Sequence, residues 1–253
     1  MKRLRLSSSL VTTTRKPLLN CHFECYNVIS SDRRESRNLF TMTWQEIHHI
    51  DQLLTLEINS WHSFITDPIW AFFSDKFVWT PMYAAIIALL IWKLGWKRGL
   101  IVLAGALLTF AFCDQFSNLI KHAVGRIRPL NDEFMIAQGL HVLERGGGYS
   151  FFSAHSANSF GLAFSTFVGM KACLCCTGAS AASSDTPVHA AMPKWLKAYG
   201  WWMFFWAFMV AVSRIFVGKH YLGDVIVGIL VGSLAGWLFA RLSSRLALRY
   251  IKS

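Results

Sequence analysis

The sequence predicts an all-α membrane protein built as a helical bundle, and three observations predict it. Of 253 residues, 54% are hydrophobic and only 15% charged, where a soluble domain carries about 25% charged residues. Eleven Trp and twenty Phe add large apolar side chains, which face lipid without the solubility cost they carry in water. The apolar residues also gather in blocks near the roughly 20-residue length that crosses hydrocarbon. Five such blocks are clear, and an imperfect sixth precedes them. This is chain enough for one membrane domain and not for a second soluble one.

Residues 1–41 hold eight basic and three acidic residues with much Ser and Thr. They lack a long apolar core followed by a small-residue cleavage site, so they do not read as a signal peptide. They read as a basic polar tail, either a cytoplasmic one or the product of a start placed too early, ahead of a membrane domain at 42–253. Residues 44–76 read as amphipathic or re-entrant. Trp44 to Ser60 is polar with a Leu and Ile face, and Phe64 to Phe77 is aromatic but interrupted by Asp67, Pro68, Asp75 and Lys76. The five spans are then 77–96, 99–120 with Asp114 inside it, 151–171, 198–217 and 221–240. In the last, Gly228, Gly232 and Gly236 recur at intervals of four, as in close helix packing within lipid. They continue the face of His220 and Asp224, which should therefore point into the bundle.

Charge orients the spans. Lys93, Lys97, Arg98, Lys171, Lys194, Lys197, Arg241, Arg245, Arg249 and Lys252 fall at one side, which the positive-inside tendency makes the cytoplasm. Five spans with the C-terminus inside would leave residue 77 starting outside. Because the basic tail prefers the inside, residues 57–76 read as the sixth, imperfect crossing. The formal charge of +11 sits in the tail, in short loops and at the C-terminal end, which suits an anionic bilayer face. It forms no continuous basic face, so no nucleic-acid partner is expected. Six Cys (Cys21, Cys25, Cys113, Cys173, Cys175 and Cys176) lack the paired spacing of a zinc site. No metal is expected from them.

Three polar clusters lie at the outward side. Lys121 to Pro129 leaves the second span, Phe152 to His155 enters the third, and Ser213-Arg214 to Asp224 spans the turn between the last two. An ionisable group at membrane depth is costly and is a functional candidate by default. Taken singly, Lys121, Arg126, Arg128 or Arg214 reads as an interfacial anchor, and His122 and Arg126 stay in that class. The convergence of three clusters favours chemistry. Lys121, Arg128 and Arg214 suit the charge that builds on equatorial oxygens in phosphoryl transfer. Asp224 lies four residues from His220, on the same helix face. There it can hold one ring nitrogen protonated and leave the other lone pair for phosphorus. His155 can protonate a leaving oxygen. It opens a helix whose free N–H groups, Ser153 to His155, favour an anion.

These motifs resemble the type 2 phosphatidic acid phosphatase superfamily, which also includes the soluble vanadium haloperoxidases. The resemblance rests on Lys, six residues and Arg-Pro (Lys121 to Pro129), on Ser-x-His (Ser153 to His155), and on Ser-Arg, five residues, His, three residues, Asp (Ser213 to Asp224). It covers roughly residues 60–240. It implies that Lys121, Arg128, Ser153, Ala154 and Arg214 bind the phosphate, that His155 is the acid, that His220 becomes phosphohistidine, and that Asp224 orients it. It implies no cofactor, no metal and no obligate protein partner. The family usually has Pro-Ser-Gly-His at the second motif, where this chain has Phe152 and Ala154. A Cβ at that glycine matters only if the turn demands positive φ.

The resemblance implies a multi-pass protein of the bacterial inner membrane with its site facing the periplasm, acting on a phosphorylated membrane lipid. The run Tyr149 to Phe160 is similar to Bacteroidetes members, among which lipid A phosphatases are known. Lipid A is the first substrate class, with undecaprenyl diphosphate and phosphatidylglycerol phosphate as alternatives. A rival outside the class is a nonenzymatic anion or lipid transporter, which has no need of His155, His220 and Asp224 at these spacings.

Overall fold

The computed structural model describes residues 43–175 and 191–249. The tail at 1–41, Cys21, Cys25 and Cys176 fall outside them. The chain divides into two compact units after Ile47. In the first, Thr43 and Glu46 form a reciprocal cap. The Thr43 N–H donates to the Glu46 carboxylate at 2.7 Å, and the Glu46 N–H donates to Thr43 Oγ1 at 3.3 Å. That Thr-x-x-Glu box fixes where the first helix starts.

The helices are α1 (Trp44–Asn59), α2 (Asp67–Ser74), α3 (Thr80–Leu94), α4 (Trp96–Val124), a 3₁₀ turn (Pro129–Asn131), α5 (Glu133–Ala137), α6 (Ala154–Cys175), α7 (Lys194–Phe216) and α8 (Leu222–Arg249). The all-α bundle is as expected, but its spans are not. Among the described residues, three helices are long and apolar enough to cross a membrane, namely α4, α7 and α8. The expectation of five spans and an imperfect sixth is therefore corrected, and each failure has a physical reason.

The 77–96 block folds as α3, which has 15 residues. At 1.5 Å per residue that is about 22 Å, short of the roughly 30 Å hydrocarbon core. The imperfect crossing at 57–76 does not form. α1 ends at Asn59 and α2 is an eight-residue helix with proline in its first turn. The 151–171 block becomes α6, which is long enough at 22 residues but not apolar enough. It is the shielded centre of the bundle, packed on α8, α4 and α7.

No large hydrophobic residue of α6 is exposed, whereas α4, α7 and α8 show outer stripes such as Leu107, Leu119, Trp201, Phe205, Leu230 and Leu234. A helix ringed by protein can keep hydroxyls, provided each finds a partner. Ser159 Oγ donates to the Ser156 carbonyl at 3.1 Å, Thr166 Oγ1 to the Leu162 carbonyl at 2.7 Å, and the Tyr199 hydroxyl to Thr166 Oγ1 at 2.7 Å.

The glycine stripe sets how closely α8 approaches α6. A Cβ on Gly232 would lie 2.1 Å from the Ala157 carbonyl oxygen. One on Gly228 would lie 2.6 Å from the Ser153 oxygen, and one on Gly236 2.6 Å from the Gly161 oxygen. The two backbones meet without side chains between them. α4, α7 and α8 therefore bring Lys121, Arg214 and Asp224 to one end of the bundle. Their other ends carry Lys97, Arg98, Lys194, Lys197, Arg241, Arg245 and Arg249.

Candidate active site

Four segments build the site. α4 stops at Gly125, whose φ of 63° is left-handed and whose N–H donates to the Lys121 carbonyl at 2.9 Å. Such a stop favours glycine, and it turns the chain so that Arg126 and Arg128 follow Lys121 around the corner. α7 stops at Gly218, with φ 78°. There the N–H groups of Lys219 and His220 both donate to the Arg214 carbonyl, at 3.1 and 3.2 Å. That turn delivers His220 directly ahead of α8.

His220 and Asp224 are buried, with 2% and 0% exposure. The ring Nδ1 stands 3.5 Å from Asp224 Oδ2. Ser150 donates a short hydrogen bond to the same oxygen, and its Oγ lies 3.5 Å from Nδ1. The Tyr221 N–H donates to Asp224 Oδ2 at 3.0 Å. Burial pushes the His220 imidazole down to about 4, against the Asp224 carboxylate, which draws it upward. His220 is thus neutral at pH 7, with Nδ1 turned to the carboxylate.

α6 begins opposite. Ser153 is fully buried, and its N–H donates to the Asp224 carbonyl at 3.1 Å, joining the start of α6 to the start of α8. No non-glycine residue among those described has positive φ, so Ala154 occupies its position without the strain a Cβ would bring there. His155 follows, with Arg214, His220, Lys219 and Lys121 all in electrostatic reach of its ring. Lys121 in turn senses Arg128, Arg214 and Asp224. The structure thus gathers all eight sequence-predicted residues: Lys121, Arg128, Ser153, Ala154, His155, Arg214, His220 and Asp224.

Arg214 is anchored through Nη1, which donates a short hydrogen bond to Ser74 Oγ on α2. Its Nε is buried and makes no hydrogen bond among the described residues, and the same holds for Arg128 Nε. Donors left unpaired at depth are costly, and an incoming phosphate oxygen would satisfy them. Lys219 reaches the same place. A Cβ on Gly146 would stand 3.9 Å from both Lys219 Nζ and Arg128 Nη1. Glu144 accepts from Lys219 in a short ion pair, and it is held below the usual carboxylate range by bonds from Lys219 and Ser74, although burial opposes this.

Sequence reasoning left Arg126 among interfacial anchors. The structure places it inside the site's support. Nη1 donates to Asp224 Oδ1 at 2.7 Å, Nη2 donates to Asp51 Oδ2 at 2.6 Å, and the guanidinium lies 3.8 Å over the Tyr221 ring. Nη2 also meets His48 Nδ1 at 2.9 Å. Burial and Arg126 hold that ring below its usual value, so it stays neutral and accepts. Asp51 then takes the Gly223 N–H at 2.7 Å, and Thr55 takes the Leu222 N–H at 2.9 Å, capping α8. The buried face of α1 is therefore polar, and it clamps the first turn of α8. The readable signal was Asp51, Thr55 and Asn59 at intervals of four.

Two carboxylates straddle Arg126, one of them the partner of a buried imidazole, and unpaired guanidinium nitrogens stand around it. Residues 98–247 match the PAP2 superfamily. The chain belongs to the PAP2 superfamily. As a PAP2 protein it is a phosphatase of membrane lipid phosphates and a multi-pass bacterial membrane protein.

Over 203 residues it is 34% identical to a lipid A 4'-phosphatase of Bacteroides thetaiotaomicron, covering 79% of this chain and 80% of that protein. Over 203 residues it is 28% identical to a lipid A 4'-phosphatase of Porphyromonas gingivalis, covering 77% and 76%. Its fold is similar to that of the transmembrane PAP2-type phosphatidylglycerolphosphate phosphatase of Bacillus subtilis. That match has a TM-score of 0.58 and 16% identity, and it covers 90% of this chain and 96% of that one.

Proposed function

We propose that this PAP2 phosphatase removes the 4'-phosphate of lipid A on the periplasmic face of the inner membrane, through a phosphohistidine on His220. The names of the two relatives support the substrate. The observation that carries the chemistry is the buried His220–Asp224 pair, with Nδ1 turned to the carboxylate at 3.5 Å and Arg214 and Arg128 in electrostatic reach of the ring.

Asp224 keeps Nδ1 protonated, so Nε2 presents its lone pair to phosphorus. The Nε2–P bond forms as the P–O bond to the lipid breaks, and His155 gives its proton to the departing alkoxide. Lys121, Arg128 and Arg214, with the Ser153 hydroxyl and the Ala154 N–H at the start of α6, hold the equatorial oxygens; the Ser153 N–H, expected to join them, is taken by the Asp224 carbonyl. Water then attacks the phosphohistidine and His155 takes its proton, which releases inorganic phosphate and restores both rings. Purified protein in detergent, offered lipid A, undecaprenyl diphosphate and phosphatidylglycerol phosphate, should release phosphate fastest from lipid A. Preference for either other lipid would reassign the substrate.

The periplasmic placement draws on charge. The ends of α4, α7 and α8 away from the site are strongly basic, while residues 130–149 mix Asp132, Glu133 and Glu144 with Arg145. Single cysteines introduced at 135–145 should react with a membrane-impermeant thiol reagent that has reached the periplasm of intact cells. Labelling only after inner-membrane lysis would reverse the topology.

A further inference from the structure

A second cluster of chemistry-bearing side chains lies outside the phosphate site. The turn after α1 carries His62, α2 begins at Asp67, and the loop between α5 and α6 carries His141. One ligand atom from each lies within 4.8 Å of the other two. His141 Nε2 is 3.0 Å from Asp67 Oδ2, and His62 Nδ1 is 3.9 Å from the same oxygen. The two imidazoles stack, with centroids 3.7 Å apart and planes within 6°. The other carboxylate oxygen, Asp67 Oδ1, is buried with no hydrogen-bond partner among the described residues.

We propose that His62, Asp67 and His141 bind one divalent transition-metal ion of the Zn²⁺ class, which pins the α5–α6 loop to the α1–α2 turn. Two imidazoles and a carboxylate suit Zn²⁺ and its neighbours, not Mg²⁺ or Ca²⁺, which demand an oxygen shell. With ligands about 2.1 Å from the ion, tetrahedral neighbours stand about 3.4 Å apart. The present spacings close to that by side-chain rotation, and the orphaned Asp67 oxygen gains a partner. An ordinary ion pair would account for the His141–Asp67 contact. It does not account for the unsatisfied Oδ1, and the ring rotation that closes the spacing also opens the parallel stack, since each imidazole lone pair lies in its own ring plane.

The backbone that carries His141 is fixed by Asn59 of α1. Asn59 accepts from the His141 N–H at 2.8 Å and donates to the His141 carbonyl at 3.1 Å. The same amide donates to the Ile215 carbonyl at 3.0 Å, at the end of α7. Three residues beyond His141, Glu144 pairs with Lys219. The ion therefore holds the loop that keeps Glu144 on Lys219, beside His220, and it does not touch phosphorus.

The test is calorimetric titration of Zn²⁺ into the full chain in detergent, with its purification tag removed and stripped by chelator. One equivalent should bind, with affinity reduced on the order of 10-fold or more in His62→Ala, His141→Gln and Asp67→Asn. His62 is at the surface, so that variant keeps its fold. Zn²⁺ should raise the apparent Tm of the parent and not of these variants, and Mg²⁺ should do neither. Co²⁺ should give ligand-field bands without the charge-transfer absorption of a thiolate site. No stoichiometric binding would overturn the proposal. So would binding that survives His62→Ala and disappears when Cys21, Cys25, Cys175 and Cys176 are replaced by Ser.

Discussion

At the scale of single residues, the two histidines should fail in different ways. His220→Ala should abolish turnover and any covalent phosphoenzyme, because it removes the imidazole held against Asp224, while the neighbouring Ser150 hydroxyl is already donated to that carboxylate. His155→Ala should cost roughly 10²- to 10⁴-fold with the natural lipid, and much less with an activated ester whose leaving group needs little protonation. Quenched, denatured enzyme would be assayed for acid-labile phosphate. If the adduct persisted in His220→Ala and vanished in His155→Ala, the two roles would be exchanged. His220 also leaves a mark on stability. Burial lowers its folded value to about 4, against about 6.5 for a free imidazole. The unfolded chain thus takes up the proton first, so the stability tied to this ring is complete above pH 6.5 and is lost as pH falls from there towards 4. Melting curves of the parent and of His220→Asn should run parallel above pH 6.5. Below it, the parent should lose ground.

At the scale of elements, the α6–α8 contact makes the sharpest claim. Gly232→Val puts a branched side chain where a single Cβ already lies 2.1 Å from a backbone oxygen. Folded protein recovered by size exclusion should collapse, whereas Gly147→Ala, with nothing within 4 Å of its Cβ, should be recovered like the parent. This packing was legible in the sequence because small residues at intervals of four have few other uses in an apolar helix. The convergence of Lys121, Arg128, Ser153, Ala154, His155, Arg214, His220 and Asp224 was legible too, since each lies at the end of an apolar block facing the same way. The number of spans was not. Block length reports how many apolar residues follow one another, not whether lipid or protein surrounds them. α6 is enclosed and keeps its hydroxyls, while α3 is too short. Arg126 escaped notice because its partners, Asp51 and Asp224, are distant in sequence, and no spacing rule connects α1 to α8.

At the scale of the molecule, the reaction should run without a metal. In the proposed reaction Lys121, Arg128 and Arg214 would supply the positive charge around the phosphate, the work a Mg²⁺ ion performs elsewhere. Chelation should leave phosphate release within about twofold of the untreated rate, even where it lowers the apparent Tm by emptying the histidine cluster. A large loss restored by one specific divalent ion would contradict this. The bond from the Ser153 N–H to the Asp224 carbonyl has a consequence of another kind. The segment that opens α6 and the segment that opens α8 are tied through main-chain atoms, and among replacements at Ser153 only proline deletes the donor. Other changes of side chain at Ser153 therefore leave that tie in place, whereas a change at Asn59 removes bonds that hold the loop at His141.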